Sequence, residues 1–166
     1  RGLFDLSGKV AVVTGGAGLL GTQICHGLAA HGAAIAIVDE RADAAEALAK
    51  EISEVDGARA IGVDCDVSDP DDVTAMVETI IGEFGGIDIL HNNAATRTRD
   101  HGEFYKPFED FKYSVWREIM RVNIDGMFLV AQAVGKQMVE RGKGGSIIQT
   151  SSTYGIRGPD FRIYEG

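Results

Sequence analysis

Cysteine is almost missing from this chain: Cys25 and Cys65 are the only two in 166 residues. They lack C-x-x-C spacing and the numbers of a disulfide framework, so we expect reduced filler and no zinc or other metal site. Clustered basic residues are missing too. With 16 Lys and Arg against 25 Asp and Glu, the formal net charge is -9, and no patch could displace counterions from a nucleic acid. The longest apolar stretches, 10–13 and 33–38, fall far short of the ~20 residues of a membrane helix. The N-terminus carries no signal-peptide pattern, and internal repeats and low-complexity linkers are absent. A cytoplasmic protein of one domain is expected, with 45% hydrophobic residues to build its core.

Against these absences stands a regular alternation. Val10 to Thr14 is a β-branched run ending in Gly15 and Gly16, as a buried parallel strand feeding a tight turn should. A helix follows with Leu20, Ile24 and Leu28 at four-residue steps, and Gly32 sits where a C-terminal cap belongs. Further strands are predicted at 34–38, 58–63, 87–91 and 146–150. The helix between the second and third places Leu48, Ile52 and Val55 on one face. Asp69, Pro70, Asp71 and Asp72 open the next helix with a capping carboxylate, a first-turn proline and acids against the dipole. Its stripe is Val73, Met76, Val77, Ile80, Ile81 and Phe84. A long helix spans 115–140. The order βαβαβαβαβ implies a Rossmann-type doubly wound parallel sheet in three α/β/α layers.

Ligands of such sheets bind beyond the strand ends. Thr14-Gly15-Gly16-Ala17-Gly18-Leu19-Leu20-Gly21 joins the first strand to the first helix, where missing side chains let backbone N–H groups approach a pyrophosphate. Asp39 closes the second strand, where an acid can bond the adenosine ribose hydroxyls and repel a 2′-phosphate. NAD is therefore expected over NADP, with Arg41 two residues on opposing that preference. The plainer alternatives are a ligand-free tight turn and a helix-capping Asp39. The polar, aromatic segment 95–114 also follows a strand end; its Arg97, Arg99, His101 and Tyr105 either meet a substrate or face solvent, and solvent is the expectation.

Four more strings, in order, make the chain resemble the short-chain dehydrogenases. Cys65-Asp66-Val67 is similar to that family's Asp-Val pair, whose acid reaches the adenine. His91-Asn92-Asn93-Ala94-Ala95 resembles its Asn-Asn-Ala-Gly string, which steadies the sheet and lines the cofactor. Asn123, flanked by Val122 and Ile124, stands where the family holds a relay water, and a buried amide needs partners in any case. Gly145-Ser146-Ile147-Ile148-Gln149-Thr150-Ser151-Ser152 resembles the strand ending in the catalytic serine, here Ser152. A serine capping a turn is the alternative. Two departures stand out: Ala95 replaces the usual Gly, and the glycine spacing TGxxGxxG is commoner in the larger branch of nucleotide-sugar epimerases and dehydratases. The Asn strings favour the single-domain branch.

The resemblance implies hydride transfer between NAD and an alcohol or ketone. The cofactor would be held by Gly15, Gly18, Leu19, Leu20, Gly21, Asp39, Asp66, Val67, Asn92, Asn93 and Ala94, and the substrate attended by Asn123 and Ser152. It also implies a tyrosine base with a lysine four residues later, because a phenol of pKa near 10 needs a neighbouring ammonium to work at neutral pH. Tyr154 is followed at that spacing by Gly158, and Tyr164 lies two residues before Gly166. Either Tyr164 is the base or, as its loop-like surroundings favour, the pair lies further on. We therefore expect an incomplete chain lacking the family's last strands and helices, inactive by itself. A non-catalytic nucleotide-binding fragment is the competing reading. The long helix, with Met120, Met127, Val130, Val134 and Met138, would lack its partner, so self-association into a dimer or tetramer is expected.

Overall fold

A computed structural model describes residues 2–98 and 101–158, apart from the His101 side chain. Tyr164 and the rest of 159–166, with Arg99, lie outside the described residues. Strands β1 (Val10–Thr14), β2 (Ala34–Asp39), β3 (Ala60–Asp64), β4 (Ile89–Asn92) and β5 (Ser146–Gln149) form one sheet in the order β3-β2-β1-β4-β5. Every neighbouring pair is parallel. The chain winds outward from β1 through β2 to β3, then crosses to β4 on the other side of β1. That reversal opens a crevice at the strand C-termini.

Because side chains alternate along a strand, each face of the sheet has its own core. On one face, Ala11, Val13, Ile35 and Ile37 meet Cys25 and Ala29 of α1 (Leu19–Ala30) and Ala45, Leu48, Ala49 and Ile52 of α2 (Ala42–Val55). On the other, Val10, Val12, Ala36 and Val38 meet Met76 and Ile80 of α3 (Pro70–Phe84) and Val130, Val134 and Met138 of α6 (Met127–Arg141). Each fully buried aliphatic side chain contributes roughly 1.5–3 kcal/mol. Between β4 and α6 run a short turn, α4 (His101–Phe104), and α5 (Tyr113–Met120).

Four sequence expectations are corrected. The buried stripe of α1 is Gly21, Cys25 and Ala29, with Ile24 and Leu28 only partly covered and Leu20 exposed. Small residues on that face let the helix approach the sheet closely. Val55 is exposed at the end of α2. The helix expected over 115–140 is interrupted by a π-helical turn, Arg121–Gly126, which rotates the later residues relative to a uniform helix. Val130, Val134 and Met138 of α6 are core, packed in one cluster with the sheet and α3, so they are not the exposed stripe expected, and the exposed apolar residues of this segment include Trp116, Ile124, Phe128 and Val139. Strands β3 and β4 both start two residues later than expected. Ile87 is buried, but its N–H donates to Gln137 Oε1 at 3.2 Å and its carbonyl accepts from Gln137 Nε2 and Arg141. Side chains of α6 thus take the place of a ladder partner.

Candidate functional site

Thr14 ends an otherwise apolar strand with a fully buried hydroxyl, which must find partners. It donates to Asn92 Oδ1 at 3.0 Å and accepts the N–H groups of Asn93 and Ala94 at 2.9 and 3.0 Å. The Asn92 amide then donates to the Met127 carbonyl at 2.8 Å, and Asn93 Nδ2 to the Thr14 carbonyl. This network clamps the end of β1 to the end of β4 beneath the crevice.

Above the clamp the chain turns sharply. Gly15 has φ +60°, and a Cβ there would lie 3.0 Å from Ala94 Cα. A Cβ on Gly21 would strike the Gly15 carbonyl and the Gly16 backbone, so the first turn of α1 lies directly on the loop that precedes it. Gly18 caps α1 without any side-chain bond, and no acid occupies the first turn. The N–H groups at this end are left for an anion, and the helix dipole favours one. Leu19 and Leu20 stand 89% and 64% exposed beside it.

Asp39, at the end of β2, is buried and accepts the Ala17 N–H at 3.0 Å. Its other oxygen takes Arg41 Nε at 3.1 Å, and Arg41 Nη2 reaches back to the Ala17 carbonyl at 2.8 Å. The pair therefore grips both sides of one residue in the glycine turn. Asp66 accepts from Ser68 and, at 3.1 Å, from Arg121. Partial burial pushes the Asp66 carboxyl up, but the bonds from Ser68 and the Arg121 guanidinium prevail and hold it below the usual carboxylate range. Cys65, beside it, is pushed up to about 12, chiefly by burial, so it supplies no thiolate nucleophile near neutral pH.

These parts surround a cleft of about 870 Å³, within the size range of sites for small molecules and cofactors. Gly15, Gly18, Leu19, Leu20, Gly21, Asp39, Asp66, Val67, Asn93 and Ala94 all line it. Three of the expected residues do not. Asn92 lies beneath, in the clamp. Asn123 sits in the π-helical turn, its Oδ1 accepting the Thr96 N–H at 2.7 Å and its Nδ2 donating to the Thr96 carbonyl at 3.1 Å. Ser152 caps a short 3₁₀ turn, Thr153–Gly155, by accepting the Tyr154 N–H at 3.1 Å. Sequence reasoning missed Glu118 and Arg121 of the lining and the clamp at Thr14. The threonine was the one readable signal, a polar residue closing an apolar strand.

A parallel sheet with its crossover at β1 and β4, and a bare glycine turn in that crevice, define a Rossmann-type α/β fold. The model of the short chain dehydrogenase family matches residues 9–165; the chain belongs to this family of oxidoreductases. It is 42% identical over 149 residues to D-threitol dehydrogenase of Mycolicibacterium smegmatis, covering 90% of this chain and 54% of that protein. It is 37% identical over 158 residues to NADP-dependent mannitol dehydrogenase of Alternaria alternata, covering 93% and 57%. The crystal structure of NAD+-bound xylitol dehydrogenase superposes with a TM-score of 0.85 at 32% identity, over 93% of this chain and 56% of that one. The chain thus spans little more than half the length of the relatives it matches. Among the described residues, no helix is long and apolar enough to cross a membrane.

Proposed function

We propose that the whole protein transfers a hydride between NAD and an alcohol or ketone of a small molecule, and that residues 1–166 form a single domain that supplies its cofactor site. The observation that carries this reading is the bare N-terminus of α1 facing Asp39 across one cleft. The residues fit the group: backbone without Cβ atoms for the pyrophosphate, a buried carboxylate for the ribose, and Asp66 with Val67 for the adenine. A bound nicotinamide would supply the hydride acceptor for an alcohol or the hydride donor for a ketone. Ser152 holds the substrate oxygen and Asn123 positions the relay, with the tyrosine and lysine that move the proton outside the described residues.

Asp39 carries the preference for NAD, since a carboxylate at the ribose repels a 2′-phosphate. Arg41 works against it by neutralising that charge. The exposed row Trp116, Ile124 and Phe128 is the face through which copies associate, in a cytoplasmic oligomer. Titrating the full-length protein with NAD and with NADP by calorimetry tests the assignment: NAD is expected to bind more tightly. Tighter NADP binding would reverse the cofactor preference, and binding of neither would sink the reading. Turnover with an alcohol separates an enzyme from a nucleotide-binding module.

A further inference from the structure

Three arginines line the cleft: Arg41, Arg97 and Arg121. Two are already matched, Arg41 with Asp39 and Arg121 with Asp66, both at 3.1 Å. Arg97 is exposed and, among the described residues, has no carboxylate partner. Its backbone is nonetheless held on both sides. Thr96 has its N–H and carbonyl bound by the Asn123 amide, and Thr98 is buried with its hydroxyl donating to Glu118 Oε2 at 3.0 Å. A free guanidinium is thus presented to the cleft from a fixed stretch of backbone, in a chain whose formal net charge is -9.

Its place in the sheet order separates it from the adenosine end. Asp39 and Arg41 follow β2, on one side of β1, whereas Arg97 follows β4, on the other side, beyond Asn93 and Ala94. We propose that Arg97 binds a carboxylate of the substrate, so that the alcohol or ketone turned over here is carried on a hydroxy acid or oxo acid and not on a neutral polyol. The planar guanidinium offers two parallel N–H groups to the two oxygens of a carboxylate, a match that a hydroxyl cannot reproduce. This rests on the nicotinamide-linked reading above and sets the chain apart from its relative named for D-threitol, a neutral polyol.

The test uses the full-length protein saturated with NAD and three matched pairs of probes: D-gluconate with D-sorbitol, D-glycerate with glycerol, and L-lactate with propane-1,2-diol. Calorimetry is expected to show at least one acid binding about tenfold or more tightly than its neutral partner. Arg97→Ala should abolish that difference while leaving the NAD dissociation constant unchanged, and Arg97→Lys should restore part of it. Equal binding within every pair, or no binding of any acid, overturns the proposal. So does a variant that loses NAD affinity in step with acid affinity, which would place Arg97 at the cofactor phosphates. Failure of the wild-type protein to bind NAD at all would instead remove the nicotinamide reading beneath it.

Discussion

Helices α1 and α3 both begin at the C-terminal edge of the sheet, yet their first turns are built in opposite ways. Helix α3 closes itself: Asp69 accepts the N–H groups of Asp71 and Asp72, Pro70 occupies the first turn, and two more acids face the dipole. Helix α1 starts at Gly18 with no cap bond and no acid. Each start leaves N–H groups without helical partners, one fewer in α3 because Pro70 has none, so both make the same kind of demand. The difference lies in who meets it. In α3 the chain satisfies its own donors, which serves stability alone, whereas α1 leaves them to water or to an anion from outside.

Exchanging the two designs gives the largest expected effect. Gly18 has φ -80° and ψ 173°, a conformation that aspartate adopts without strain, and a Cβ there meets the Gly15 carbonyl at 3.2 Å, close enough to require a small adjustment. Gly18→Asp would cap α1 as Asp69 caps α3. We expect fold stability within about 1 kcal/mol of wild type and a loss of NAD affinity of roughly a hundredfold, since the carboxylate takes the donors and repels the pyrophosphate. Chemical denaturation and calorimetry on the same protein check both parts. Unchanged NAD affinity would show that the helix start is not where the phosphates sit.

The converse change is smaller. Asp69→Ala removes both cap bonds from α3 and should lower stability by about 1 kcal/mol. NAD affinity should stay the same, because Asp69 is not among the residues lining the cleft. A urea midpoint that does not move would mean that water serves that helix start as well as the carboxylate does.

The contrast between the two helix starts was legible in the sequence because both are local, written in a few consecutive residues. So were β1, bounded by glycines, and the ten cleft residues that belong to backbone motifs. What escaped depends on distant pairings or on helix geometry. Arg121 and Asp66 meet across 55 residues, and Thr14 reaches Ala94 across 80; nothing in either neighbourhood announces the partner. The π-helical turn leaves no mark on a periodic pattern, and the apolar pattern does not say that Val130, Val134 and Met138 pack with the sheet and α3 while Ile124 and Phe128 face out. In α1 the four-residue leucine pattern drew attention to the wrong stripe, because close packing on the sheet selects small residues over large ones. Asn123 and Ser152 were picked by motif, but the bonds their side chains make, to the Thr96 backbone and the Tyr154 N–H, could not be read from it.

The smallest effect concerns the acid that stands between α3 and the cleft. Asp66 precedes α3 and lines the cleft, and in the folded protein its pKa lies below the ordinary carboxylate value because Ser68 and Arg121 outweigh its desolvation. A depressed folded pKa means that the unfolded chain binds the proton first. The ionised group therefore contributes stability above its unfolded pKa of about 3.9, and that contribution is lost as pH falls through the lower folded pKa. With 39% of the side chain exposed, solvent screening keeps the contribution below about 0.5 kcal/mol. Asp66→Asn should therefore trail wild type by a small, constant margin at pH above about 5, and the margin should close as pH drops below about 4. Urea unfolding of both proteins across that window reads it directly. A margin that widens on acidification would mean that the Arg121 pairing does not hold Asp66 ionised, and the segment before α3 would then present a neutral group to the cleft.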